Sequence, residues 1–260
     1  MKVLRLRGFF KILAVCCMLW GCASGPNRHE ETAIVKAPPA PAAQSQPPKG
    51  PPDMGVADRV VTDEEIYQAI ARDPSLDIME CYNILARLNI KSELHISQAI
   101  RAGDVLKAPN DYSAYKNWTP LPKTIPQAAR KRKFILATIN FPFMGWYENG
   151  RLVKDTQVSM GRKGEETEAG VYKVEEKDPN HYSRSYRNVF GNDAWMPYAM
   201  RIYGRVWIHA GDVIDPYDSR GCIYVPLGTA EELYDWADLG TPVVIVDSLS
   251  DLDRVLNKSF

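Results

Sequence analysis

Two short words in the last third of the chain hold the residues that can do chemistry. Trp207-Ile208-His209-Ala210-Gly211 puts a histidine at the end of an apolar run, and Ser219-Arg220-Gly221-Cys222-Ile223 puts a cysteine in a glycine turn. A thiol and an imidazole are the parts of a nucleophile and its base. A free thiol with pKa near ~8.5 is only ~3% thiolate at neutral pH, and an imidazole partner that lowers it to about 6 makes thiolate the majority form. That is worth roughly 30-fold in rate, or about 2 kcal/mol of barrier. Gly221 has no side chain, so backbone N–H groups can converge there on the oxyanion of an acyl intermediate, worth about 3 to 4 kcal/mol. The pair alone has a competing reading, because buried cysteines pack as small hydrophobes and a single histidine is more often structural.

The surrounding residues extend the pattern. His209-Ala210-Gly211, then Ser219-Arg220-Gly221-Cys222-Ile223, then Val225-Pro226 resembles the signature of L,D-transpeptidases of the YkuD type. Upstream, Phe134 to Asn140 reads as a strand, Glu148-Asn149-Gly150-Arg151 as a hairpin turn and Leu152 to Met160 as the returning strand. Gly161-Arg162-Lys163-Gly164 and Thr167-Glu168-Ala169-Gly170-Val171 resemble that family's turn and Thr-Pro-x-Gly segment, and Met196-Pro197-Tyr198-Ala199-Met200 precedes the histidine strand as in the family. The similarity spans Lys133 to Val246.

The chain departs from the family's pattern at four places. Family members usually have His between the Ser and Gly, where this chain has Arg220, and often Arg or Asn two residues after the cysteine, where it has Tyr224. The Pro of Thr-Pro-x-Gly is Glu168, and the stretch His209–Ser219 is the short form of a spacing that is longer in many members. These differences bear on fine specificity more than on chemistry.

The resemblance implies Cys222 as nucleophile, His209 as base and the Ala210 carbonyl as the group that orients the imidazole. It implies main-chain amides at Arg220, Gly221 and Cys222 as oxyanion donors. Arg220 would add its charge against a stem-peptide carboxylate and Tyr224 its hydroxyl, with Ser219 and Tyr198 as further substrate contacts. For Arg220 and Tyr224 a solvated or packed side chain is the competing reading. The polar, aromatic stretch Asn180 to Tyr203, with Tyr182, Tyr186, Trp195 and Tyr198, is read as a lid over the cysteine or as irregular packing.

The front of the chain addresses location. Lys2, Arg5, Arg7 and Lys11 lead into the apolar run Ile12 to Trp20, too short to span a membrane, and Leu19-Trp20-Gly21-Cys22 fits a lipobox. Residues 1–22 are thus expected to be a lipoprotein signal peptide with Cys22 lipidated; an ordinary secretory signal with a chance Cys is the alternative. Ala23, not Asp, follows, which in a Gram-negative envelope sends a lipoprotein to the outer membrane, on its periplasmic side. Residues 23–55, rich in Pro, Ala, Gln and Ser, read as an extended tether that at ~3 Å per residue reaches several tens of ångströms.

Lys+Arg and Asp+Glu balance at 32 each, which gives no global field and no argument for nucleic acid. His181 and His95 have no partner at ligand spacing, so no metal and no cofactor is expected. Cys81, in the helical pattern Met79 to Leu88, reads as a core residue rather than a disulfide partner of Cys222.

Residues 56–110 form a small helical, α+β module. Thr62-Asp63-Glu64-Glu65 opens a helix as a capping box, Ile66, Ile70 and Ala71 mark its apolar face, Asp73-Pro74 ends it, and a second helix runs from Leu76 to Asn89. Ile100 to Pro109 closes like the last strand of a degenerate LysM module, a glycan-binding family, but without its opening strand and Gly-Asp pair; a helical cap on the catalytic domain is the alternative. Residues 111–132 form a linker. Residues 133–248 are expected to be mainly β, an L,D-transpeptidase-type β-sandwich with a few helices, one of them opened by Thr229-Ala230-Glu231-Glu232.

The implied activity is a cysteine acyl transfer on peptidoglycan tetrapeptide stems. Cys222 would attack the carbonyl of the third residue, meso-diaminopimelate, expel D-Ala as a thioester forms, and pass the acyl group to an amine on a stem peptide, a D-amino acid or an envelope lipoprotein. The alternatives are a hydrolase of the same fold, cutting cross-links or lipoprotein–peptidoglycan bonds, and a non-catalytic wall-binding lipoprotein.

Overall fold

Phe134-Ile135-Leu136-Ala137 and Val243-Val244-Ile245-Val246 are continuous apolar runs, the pattern of strands covered on both faces, and all eight residues are buried. The structure, a computed structural model, describes residues 55–188 and 190–259. The lipobox with Cys22, the leader and the tether up to residue 54 lie outside the described residues. Every described residue falls within one compact unit, Gln44–Phe260.

The N-terminal module consists of β1 (Val56–Val60), α1 (Asp63–Arg72), α2 (Ile78–Asn89), α3 (Glu93–Ala102) and β2 (Val105–Pro109). The Thr62 hydroxyl accepts the Glu65 N–H at 3.2 Å, the cap the sequence announces. Ile66 and Ala69 form the buried face of α1, whereas Ala71 is exposed. The second helix begins two residues later than expected, because the Asp77 carboxylate accepts the Glu80 N–H at 2.7 Å and becomes the cap. Two further readings are corrected. Residues Ile100 to Ala102 are helical, ending α3, with Ile96, Ala99 and Ile100 on its buried face at helical spacing. An opening strand exists: β1 pairs antiparallel with β2, Val56 opposite Pro109 and Val60 opposite Val105. Its mostly unburied Val-Ala-Asp-Arg-Val carries little alternating signal; Arg59 secures it instead, donating to the Ala108 and Pro109 carbonyls at 2.7 and 2.8 Å and to Glu65.

The remaining elements are β3 (Lys133–Thr138), β4 (Phe143–Glu148), β5 (Arg151–Gln157), β6 (Gly170–Lys173), β7 (Glu176–Arg187), β8 (Asp193–Tyr203), β9 (Val206–Ala210), β10 (Ile223–Val225), α4 (Leu227–Trp236), β11 (Pro242–Val246) and α5 (Leu252–Ser259). They form a five-stranded sheet in the order β5-β4-β3-β11-β6 and a four-stranded sheet in the order β10-β9-β8-β7. Ile135, Met144, Val243 and Ile245 of the first sheet share a core with Met200, Ile208, Ile223 and Val225 of the second and with Ala230 and Leu233 of α4. The alternate residues Phe134, Leu136, Val244 and Val246 pack outward against Leu252 and Leu256 of α5. The architecture is mainly β, two packed sheets with a few helices.

Asn149 and Gly150 both take positive φ, 49° and 74°, as the tight turn between β4 and β5 requires. The first and returning strands end earlier than expected, at Thr138 and Gln157; Ser159 instead makes an isolated bridge to Tyr224. Residues 180–187 and 193–203 are not irregular: they lie in β7 and β8, which pair antiparallel. Helix α4 starts at Leu227 behind Pro226, so Thr229 lies inside it and does not cap it.

The module is sewn to the sheets. Arg87 of α2 pairs with Asp155 of β5 at 2.8 Å, both largely shielded, and Ser92 donates its backbone N–H to the Val213 carbonyl at 2.7 Å.

Candidate active site

Strands β9 and β10 run parallel with Ile208 opposite Ile223, His209 opposite Tyr224 and Ala210 opposite Val225. Because side chains alternate, Ile208, Ala210, Ile223 and Val225 enter the sandwich core, which leaves Trp207, His209 and Tyr224 on the other face. Cys222 joins that face one residue before β10 begins, packed with Trp207. His209 lies one pleat further, about 6.6 Å along the strand. A cavity of about 360 Å³ opens there, lined by Cys222, His209, Tyr224 and Arg220 and by Tyr186, Trp195 and Met196 of the β7–β8 hairpin.

The imidazole is fixed by two contacts. Its Nδ1 lies 2.8 Å from the Ala210 carbonyl, which makes Nδ1 the donor and leaves Nε2 as the basic nitrogen. Its ring meets Tyr224 edge to face, centroids 4.9 Å apart. Tyr224 in turn packs over Gly211, where an added Cβ would come within 2.6 Å of the ring. Burial pulls the His209 pKa down to about 4; the Ala210 carbonyl opposes this, and His181 adds to it. His181 itself stacks on Trp207 and reaches Asp178 through Nδ1.

Burial also pushes the Cys222 thiol above its ordinary value, partly offset by the Trp207 backbone N–H. The thiol is directed at the Arg205 carbonyl, 3.9 Å away. Both directions run against the expected thiolate–imidazolium pair. Both groups are enclosed, and desolvation disfavours the charged form of each.

Two hydroxyls clamp the cysteine turn. Thr167 Oγ1 donates to the Gly221 carbonyl at 2.9 Å while accepting the Gly161 N–H at 2.9 Å. Ser219 Oγ donates to the Cys222 carbonyl at 2.5 Å and accepts the Gly221 N–H at 3.2 Å. Gly221 has φ +102°, a conformation that L side chains rarely adopt. Ser219 is fully buried, so the reading of it as a substrate contact is corrected: it braces the turn. The Gly221 N–H is occupied by Ser219, which leaves the Arg220 and Cys222 amides of the three expected oxyanion donors.

Arg220 is exposed at the cavity rim with its guanidinium 4.8 Å over the Tyr186 ring. Tyr198 is corrected too. Its backbone is left-handed, φ +56°, which breaks the alternation along β8: Met196 and Ala199 both pack with Cys222, and the Tyr198 ring lies against Tyr234 and bonds to Glu231 of α4. Cys81 is fully buried in the core of the module and Cys222 lies among Trp207, Met196 and Ala199; both are free thiols.

Sequence reading missed Thr167 as a clamp and Asp212 as a cavity-lining group. The Thr was visible within the Thr-x-x-Gly word, but its target carbonyl, 54 residues on, was not. Asp212 carried no local signal. Among the described residues no His, Cys, Asp and Glu side chains gather in a group that could hold a metal ion.

Residues 132–245 match the YkuD family, the L,D-transpeptidase catalytic domain. Solved structures similar to the chain include an L,D-transpeptidase from Stackebrandtia nassauensis, 21% identical over 52% of this chain and 63% of that one, TM-score 0.43. An L,D-transpeptidase from Mycobacterium smegmatis is 21% identical over 44% and 58%, TM-score 0.40. One from Mycobacterium tuberculosis is 23% identical over 44% and 57%, TM-score 0.39. The chain thus spans less than two thirds of the length of each. No curated protein matches the chain.

Proposed function

With residues 132–245 matching the L,D-transpeptidase catalytic domain, we propose that the protein is a cysteine acyl transferase acting on peptidoglycan stem peptides. The observation that carries this reading is the placement of Cys222 and His209 on one face of the β9–β10 pair, lining one cavity.

A neutral pair works by general base catalysis. The thiol turns from the Arg205 carbonyl toward Nε2, gives up its proton as Sγ attacks the carbonyl of the third stem residue, and a tetrahedral oxyanion forms facing the Arg220 and Cys222 amides of the turn. His209, held by Ala210, returns the proton to the departing D-Ala nitrogen. A thioester remains, and an amine resolves it. Enclosure matters here, since imidazolium formed during attack is stabilised by the developing oxyanion rather than by water. Arg220 at the rim supplies the charge for a stem carboxylate. Cys22 as a lipid anchor and a long tether would set this site at the periplasmic face of the outer membrane, within reach of the wall.

The test is turnover of a tetrapeptide-stem muropeptide. The wild type should release D-Ala and form a new amide, and Cys222→Ala should do neither. D-Ala release by Cys222→Ala at the wild-type rate would refute the assignment. Cys22→Ala should move the protein from the membrane fraction to the soluble one, and its retention there would discredit the anchor.

A further inference from the structure

The loop that follows the base strand is gripped by the N-terminal module. Ser92 donates its N–H to the Val213 carbonyl at 2.7 Å, Lys91 Nζ donates to the Ile214 carbonyl at 2.8 Å, and Val213 is fully buried in the same cluster as Ile90. Between these anchors and Gly211 stands Asp212. Its Oδ1 accepts from the Ser92 hydroxyl at 3.3 Å and its Oδ2 lies 2.8 Å from His95 Nε2.

Asp212 lines the cavity with Cys222 and His209 and is the one carboxylate among the described lining residues. The cavity's other charged groups are both guanidinium: Arg187, paired with Asp193 at 2.8 Å, and Arg220, over Tyr186. Its side chain is 52% exposed. An ionised carboxylate offers about four acceptor positions, of which Ser92 and His95 take two. The open positions suit an ammonium group, and the loop is already immobilised before one arrives.

Building on the acyl-transfer reading, we propose that Asp212 is the acceptor-amine site, held in place by Ser92 and His95 of the module. The acceptor arrives as R–NH3+ and is bound by the carboxylate. One proton leaves to solvent; the nitrogen lone pair attacks the thioester carbonyl, a C–N bond forms and the C–S bond breaks. The second proton passes through His209 to the Cys222 thiolate. Two guanidinium groups and one carboxylate in the same lining would let the anionic donor and the cationic acceptor be held by different groups. The module thereby takes part in choosing an amine over water.

The test compares acceptors on the full chain charged with a tetrapeptide-stem muropeptide. Acceptor one is the stem amine of a second such muropeptide, cationic at neutral pH; acceptor two is hydroxylamine, uncharged there. Asp212→Asn should lower the ratio of stem-amine transfer to hydrolysis roughly tenfold, the scale of one partly exposed charge-assisted hydrogen bond, and should leave the hydroxylamine ratio in place. Asp212→Glu should restore part of the stem-amine ratio. Asp215→Asn, which removes a charge from the same loop outside the cavity, should change neither ratio. Equal losses for both acceptors would show a structural role and overturn the inference, as would an unchanged stem-amine ratio. Hydrolysis alone in a wild type that forms the thioester would overturn it too while leaving the thiol chemistry standing; absence of any thioester would overturn the acyl-transfer reading on which it rests.

Discussion

The Ser219 hydroxyl closes the turn that presents Cys222 from within, donating to the Cys222 carbonyl at 2.5 Å and accepting the Gly221 N–H at 3.2 Å. A buried hydroxyl used in both directions replaces two solvent hydrogen bonds that the turn cannot make, and so fixes the backbone from which the thiol projects.

Ser219→Ala should therefore destabilise the fold by about 1 to 3 kcal/mol, the cost of leaving a buried donor and acceptor unmatched. It should also slow acylation more than it weakens muropeptide binding. Chemical denaturation together with single-turnover acylation checks both. Wild-type stability with wild-type acylation would remove Ser219 from the brace.

Cys222 should alkylate as a buried neutral thiol. Its reaction with iodoacetamide is expected to rise with pH along a curve whose midpoint lies above the ordinary thiol value, because burial raises it. His209→Gln should leave that midpoint nearly in place, since no imidazolium charge is lowering it. A reactive plateau extending below pH 7 in the wild type and lost in His209→Gln would instead reveal an ion pair.

His209 should make the fold acid-sensitive. Its folded pKa, about 4, is below the unfolded value of 6.5, so the unfolded chain binds the extra proton first and stability falls as pH drops through the interval between them. The full loss is roughly 3 kcal/mol, complete below the folded pKa. Urea titrations of wild type and His209→Gln at pH 7 and pH 4 check this: the variant should lose less stability by about that amount. An equal loss in both would mean that His209 is not the group responsible.

Much of the fold was legible where a local pattern had a local cause. The Thr62 cap, the Asn149-Gly150 turn and the doubly buried runs of β3 and β11 each follow from residues within one element. The shared face was legible from alternation, because His209 stands opposite Tyr224 on adjacent strands and Cys222 precedes Tyr224 by two residues. What escaped depended on partners distant in sequence. Strand β1 rests on Arg59 reaching across to β2. Tyr198 was misplaced because one left-handed residue reverses the alternation of β8. Burial of both groups was not legible either, and it weighs against charge on each, whereas proximity of imidazole and thiol favours an ion pair.

The most direct test of the central claim is intact-protein mass spectrometry of the chain after incubation with a purified tetrapeptide-stem muropeptide, beside Cys222→Ala. The account predicts an adduct equal to the stem less its terminal D-Ala, present on the wild type, absent from the variant and released by hydroxylamine. An unmodified wild type whose Cys222 remains alkylatable, or an adduct that persists in Cys222→Ala, would contradict it.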